Sequence, residues 1–149
     1  MSRMAGKKNI VVVDLDGTLA LDHKRNHYLQ RKPRDWDAYF AECHTDEPNE
    51  PVIALIRAMK EAGYSINIVS GRRDDYIEDT FSWLLDYNIP WNRLQLRRTG
   101  DYTDDHILKL KMIEPFRNDI LFVLEDRQRV VDMWRANGFT CLQVAPGNF

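Results

Sequence analysis

Four apolar residues, Ile10 to Val13, run directly into Asp14-Leu15-Asp16-Gly17-Thr18. An unbroken β-branched run of this kind reads as a strand of a parallel sheet, covered on both faces. Such a sheet needs crossover helices, so the run commits its surroundings to an α/β architecture. Asp14 falls at the C-terminal end of the strand, where open α/β sheets place their ligand sites. Strand alternation aims Asp14 and Asp16 to one side, unless the turn beginning at Gly17 intervenes. Two carboxylates held together repel, and a hard cation such as Mg²⁺ relieves the repulsion with oxygen ligands. The plainer alternative is a strand followed by an Asp-Gly turn.

The rest of the chain alternates in the same manner. Val52, Leu55, Ile56 and Met59 recur at helical spacing and Gly63 marks a stop; Ser65 to Val69 then reads as a second strand. Ile77, Phe81, Leu84 and Leu85 mark another helix, Arg93–Arg97 a short strand, and 104–116 a further helix. Ile120 to Leu124 is a second strongly apolar strand ending in paired acids, Glu125 and Asp126; a helix with Val130, Val131 and Trp134 follows, and 140–144 closes the sheet. With 149 residues, 44% of them hydrophobic, the expectation is one domain, 1–149, carrying a parallel sheet between helices. The exception to the rhythm lies at about 21–50, too long for an ordinary connection; Trp36, Tyr39 and Phe40 there suggest a short amphipathic helix.

Three further clusters carry chemistry. Ser70-Gly71-Arg72 follows the second strand, where a hydroxyl and backbone N–H groups can hold phosphate oxygens, although Ser-Gly after a strand is also an ordinary turn. Asp105 and Lys109 are four apart and share a helix face, either as a surface pair or as a source of positive charge; Lys111 is the second lysine there. Arg97-Arg98 beside Asp101-Tyr102 reads equally as a basic, aromatic edge for nucleic acid or as a solvated loop.

The block Val11 to Ala20 resembles the first motif of the haloacid-dehalogenase (HAD) phosphatase superfamily, four apolar residues followed by DxDGT. That resemblance implies a HAD-like three-layer α/β/α fold with a small helical cap at about 21–50. It implies Asp14 as nucleophile forming an aspartyl-phosphate, and Asp16 as general acid and then general base. Ser70 and Gly71 match the second motif, Lys109 the charge-neutralising lysine, and Glu125-Asp126 the acids that hold Mg²⁺. The implied metal set is Asp14, Asp16, Asp126 and Glu125, with glutamate at 125 where relatives carry aspartate and a metal-bound water as its other reach. The blocks 46–51, 63–72, 125–134 and 143–149 are similar to the phosphatase domain of bacteriophage polynucleotide kinase/3′-phosphatases. This implies Arg25 and Arg72 gripping phosphate or the adjoining nucleotide, and Asp105 orienting Arg72 or Lys109.

The implied activity is removal of 3′-phosphate from DNA or RNA ends. A nucleotidase acting on free mononucleotides is the alternative, and a non-catalytic module binding phosphorylated ends is a third reading. The chain holds no G-x-x-x-x-G-K-[ST] segment, so 5′ phosphorylation is not expected of it. Net charge −2 carries no overall nucleic-acid signature. Two cysteines, Cys43 and Cys141, make no disulfide framework, and Cys141 reads as a buried strand residue. The start of the chain lacks a hydrophobic leader and no apolar run reaches a membrane span. The expected location is therefore cytoplasmic, the host cytoplasm if the source is a phage. The aromatic insertion is a candidate homodimer surface as well as a lid.

Overall fold

The computed structural model describes residues 7–148. The N-terminal stretch Met1–Gly6, read above for a leader, and Phe149, the end of the 143–149 block, lie outside the described residues. In chain order come β1 (Ile10–Val13), β2 (Ala20–Leu21), α1 (Trp36–Ala41), β3 (Glu47–Pro48), α2 (Glu50–Glu61) and β4 (Ser65–Arg73). They are followed by α3 (Ile77–Asp86), β5 (Arg93–Arg97), α4 (Asp105–Met112), β6 (Ile120–Glu125), α5 (Gln128–Ala136) and β7 (Cys141–Gln143).

Five strands form one sheet in the order β5-β4-β1-β6-β7, and every pairing is parallel. The alternation of β1 sorts the core into two halves. Val11 and Val13 pack with Ile53 and Ile56 of α2 and Leu84 of α3, whereas Val12 packs with Val130, Val131 and Trp134 of α5. The result is the expected α/β/α sandwich, with β1 buried from both sides as its composition demands. Register then places the site. Val13 is paired with Ile68 on one side and Leu124 on the other, so β1 and β6 end at nearly one level while β4 continues past it. Asp14, Ser70 to Arg72, and Glu125-Asp126 are thereby delivered to the same edge.

Two boundaries differ from the sequence expectation. β4 runs on through Ser70, Gly71 and Arg72 to Arg73 instead of turning after Val69, and its pairing with β5 is irregular over that stretch. The helix expected over 104–116 ends at Met112 and continues as a 3-10 stretch, Glu114–Asp119. Pro115 explains the change, since it lacks an N–H and disfavours α geometry at the residue before it.

Between β1 and α2 the chain leaves the sheet. Its excursion is closed at the base by the antiparallel pair β2 and β3, with Ala20 opposite Pro48 and Leu21 opposite Glu47. Inside it, Asp35 caps α1 by accepting from the N–H of Ala38 at 3.0 Å, and Leu29, Tyr39 and Phe40 form a small core of their own. The aromatic pattern thus marks the short helix expected there. Both cysteines are free and buried. No helix among the described residues is long and apolar enough to cross a membrane.

Candidate active site

After β1 the N–H of Asp14 still donates to the Leu124 carbonyl, at 3.0 Å, so the sheet holds this residue although the strand has ended. The next residues wind tightly: the N–H groups of Thr18, Leu19 and Ala20 all donate to the carbonyl of Leu15. Gly17 sits in this turn at φ +83°, and a Cβ there would lie 2.1 Å from Oδ2 of Asp126. Glycine is therefore required twice over, by the backbone conformation and by the approach of an acid from β6.

The turn separates the two aspartates. Asp14 accepts from Lys109 Nζ at 2.8 Å and its other oxygen lies 3.0 Å from the Thr18 hydroxyl. Thr18 also lies 3.3 Å from Asp126, and its single proton serves one carboxylate at a time. Lys109 donates equally to Glu125, at 2.8 Å, while the other oxygen of Glu125 accepts from the backbone N–H of Asp126 at 3.1 Å and of Arg127 at 3.4 Å. The extra methylene of glutamate lets one side chain hold both the lysine and the turn after β6. Lys111 is exposed, which leaves Lys109 as the lysine of the site.

Asp14, Glu125 and Asp126 are buried, with ligand oxygens all within 4.8 Å of one another. One ammonium serves two of these three carboxylates, Asp14 and Glu125. Burial, and then the charge of Asp14, push the carboxyls of Glu125 and Asp126 upward. Burial works against the Lys109 ammonium, but Asp14 and Glu125 outweigh it and keep the lysine charged. An all-oxygen donor set with surplus negative charge fits a hard divalent cation such as Mg²⁺.

Asp16 occupies a different setting. Its carboxylate accepts from Arg25 Nη2 in a short contact and from Arg72 through both Nη2 and Nε. Burial disfavours its charge, yet Arg72 and Arg25 overcome that and hold the carboxyl well below the usual carboxylate range. Asp16 is expected among the metal ligands; its side chain is paired with two guanidinium groups and lies outside the Asp14–Glu125–Asp126 cluster. Arg25 and Arg72, expected to grip phosphate or the adjoining nucleotide, both pair with Asp16, and Arg72 also lines the cavity. Arg25 is fully buried between Asp16 and Asp46, donates to the carbonyl of Tyr39 at 3.0 Å, and lies 4.2 Å from the Tyr39 ring. Arg72 is 1% exposed, with Thr80 Oγ1 at 2.9 Å as its remaining partner.

Ser70 accepts the N–H of Arg72 at 3.0 Å, leaving its own proton to donate toward the cavity. Asp105 orients neither Arg72 nor Lys109 by a hydrogen bond; it pairs with Arg97 at 2.7 Å and Arg127 at 3.1 Å. A Cβ on Gly71 would lie 2.0 Å from Asp105, so glycine is needed for the two loops to meet. Arg97, read above equally as part of a basic edge or of a solvated loop, is spent on interior acceptors, whereas Arg98 is exposed. A cavity of about 300 Å³ opens over these groups, bounded by Trp36 and Phe40 on the insertion side and lined also by Asp14, Asp16, Ser70 and Lys109.

Residues 8–149 match the model of the polynucleotide kinase PNKP phosphatase domain. The chain belongs to this family. As a PNKP-type phosphatase domain with a HAD-like fold, it is a phosphoric monoester hydrolase. A "putative bifunctional polynucleotide kinase/RNA ligase" of Autographa californica nuclear polyhedrosis virus is 31% identical over 130 residues, 84% of this chain and 17% of the relative. A chain of the solved Pnkp1/Rnl/Hen1 complex is 33% identical with a TM-score of 0.84, over 100% of this chain and 50% of its own length. A predicted phosphatase from Clostridium acetobutylicum shares the fold, with a TM-score of 0.70 at 13% identity over 92% of this chain and 84% of its own. The chain thus spans a small part of the viral relative and about half of the chain from the complex.

Several pairings around the site escaped the sequence reading. Asp46, Arg97 and Arg127 complete the ion pairs and Thr80 accepts from Arg72, and each meets its partner between 8 and 22 residues away. Asp46 stood inside the 46–51 block, yet nothing local marked it as the partner of Arg25.

Proposed function

We propose that the chain removes 3′-phosphate from nucleic-acid ends by way of an aspartyl-phosphate on Asp14, with Mg²⁺ as cofactor and residues 21–50 as a small cap within one domain. One observation carries the mechanism: two carboxylates on one short turn are held in opposite ways, Asp14 on Lys109 among acids and Asp16 on two arginines. A nucleophile must be ionised and anchored, whereas an acid-base group must change protonation within a cycle.

In the proposed cycle an oxygen of Asp14 attacks phosphorus, the bond from phosphorus to the 3′ oxygen breaks, and that oxygen takes a proton from Asp16. A phosphate dianion entering the cavity competes for the arginines and adds negative charge beside Asp16, raising its pKa toward the protonated form. Asp16, again a carboxylate, then accepts a proton from the water that attacks the aspartyl-phosphate, and inorganic phosphate leaves. Lys109 offsets the charge of an anion attacking an anion, and Ser70 donates to a phosphoryl oxygen. Asp14 and Asp126, with Glu125 beside them, would hold Mg²⁺, which supplies charge neutralisation when bound. Free 3′-mononucleotides are the competing substrate class.

The test is to mix the chain and Mg²⁺ with an oligonucleotide carrying a radiolabelled 3′-phosphate and quench in acid. Label bound to protein, released by hydroxylamine and absent in Asp14→Asn, is the expected result. Turnover without any protein-bound label, preserved in Asp14→Asn, would rule out the covalent route.

A further inference from the structure

Tyr102 is 93% exposed, yet it stands on the wall of the cavity that holds Asp14 and Asp16. A ring so placed gains almost nothing from folding, and both its faces are open to a ligand. Its backbone, by contrast, is fixed on each side. Arg97 Nη1 donates to the carbonyl of Asp101 at 2.9 Å and of Thr103 at 2.6 Å, the residues flanking Tyr102. The same guanidinium donates through Nε to the carbonyl of Gly71 at 3.0 Å and through Nη2 to Asp105 at 2.7 Å. A single side chain therefore ties the Tyr102 loop to the Ser70-Gly71 segment and to the start of α4. Thr103 N–H donates to Asp101 Oδ1 at 2.9 Å, and Asp101 N–H to the carbonyl of Arg98 at 3.0 Å, which tightens the loop further.

The chemistry around the ring selects among the parts of a nucleotide. Asp101 and Asp104 flank it on the cavity wall, Asp104 with Arg129 at 3.8 Å, and Arg97 spends four of its five N–H donors on the loop, Gly71 and Asp105. What a rigid, exposed phenol beside acidic groups can accept is an uncharged aromatic face. We infer that Tyr102 is the platform on which the nucleobase of the phosphate-bearing terminal nucleotide stacks, a specificity-determining contact that requires the terminal base to be unpaired and tolerates any base. This rests on the 3′-end reading above. Because the loop is ordered before binding, little conformational entropy is lost when the base arrives.

The test compares two oligonucleotides of one sequence, each with a 3′-phosphate, one ending in a normal nucleotide and one in an abasic tetrahydrofuran residue. Tyr102→Ala is expected to lower kcat/KM on the base-bearing end by about 10- to 100-fold, mainly through KM, and to leave the abasic end unchanged. Tyr102→Phe is expected to keep nearly full efficiency on both. Equal losses on the two ends, or no loss on either, would overturn the stacking role. If the unaltered chain releases phosphate from neither end, the 3′-phosphatase reading fails and takes this inference with it.

Discussion

Substituting each of the two aspartates with asparagine should affect the stability of the fold in opposite directions. Asp16 is the only carboxylate paired with Arg72 among the described residues, and Arg72 is 1% exposed. Removing one partner of a buried ion pair costs about 3–5 kcal/mol, because the other charge stays buried and uncompensated. An asparagine oxygen retains one hydrogen bond, worth about 1 kcal/mol, and Arg25 keeps Asp46. The net loss for Asp16→Asn is therefore about 2–4 kcal/mol, a fall in Tm of roughly 5–15 °C for a chain of 149 residues. Asp14→Asn removes one of three clustered acids and leaves Lys109 paired with Glu125 at 2.8 Å. Its Tm should equal or exceed that of the unaltered chain. Thermal unfolding followed by circular dichroism in EDTA measures both. An Asp16→Asn variant as stable as the parent, or an Asp14→Asn variant that falls as far, would refute the assignment of the arginines to Asp16 and of the lysine to the acid cluster.

Three other outcomes follow from the same geometry. Asp16 has a folded pKa below its unfolded value of about 3.9, so its stabilisation is complete above about pH 4 and lost as the pH falls below that; acid titration of Tm should show this limb in the parent and a weaker one in Asp16→Asn. Glu125 and Asp126 shift the other way and cost stability as the pH rises, so at neutral pH Mg²⁺ at about 100 times its Kd should add about 2.7 kcal/mol, seen as a rise in Tm that shrinks toward pH 5 and is largely lost in Asp126→Ala. Gly71→Ala places a methyl 2.0 Å from Asp105 and forces that carboxylate off Arg97, so kcat/KM should drop about 100-fold while far-ultraviolet dichroism stays unchanged.

The parts of the fold legible in the sequence were those with local periodicity. Ile10–Val13 announced a doubly covered strand, and the structure buries Val11, Val12 and Val13 to within 1%. The aromatic spacing of Trp36, Tyr39 and Phe40 gave α1 away for the same reason. Motif residues just past strand ends, Asp14 and Asp126, were readable because a strand end is a fixed place relative to a parallel sheet. The hidden part was the pairing. Which acid an arginine meets depends on how loops from different crossovers fold over the sheet edge, and no spacing records that. Arg97 looked like a surface cation beside Arg98, but Arg97 is turned inward onto four acceptors. The helix end at Met112, three residues before Pro115, was legible from that proline and was overrun by the apolar pattern.

The most direct test of the central claim is the rate of phosphate release, with and without Mg²⁺, from a 3′-phosphorylated oligonucleotide set against the same oligonucleotide phosphorylated at its 5′ end and against the free 3′-mononucleotide. The account predicts Mg²⁺-dependent release that is fastest from the 3′ end of the oligonucleotide and absent in Asp14→Asn. Release from the 5′ end or from the mononucleotide at an equal or greater rate would contradict it.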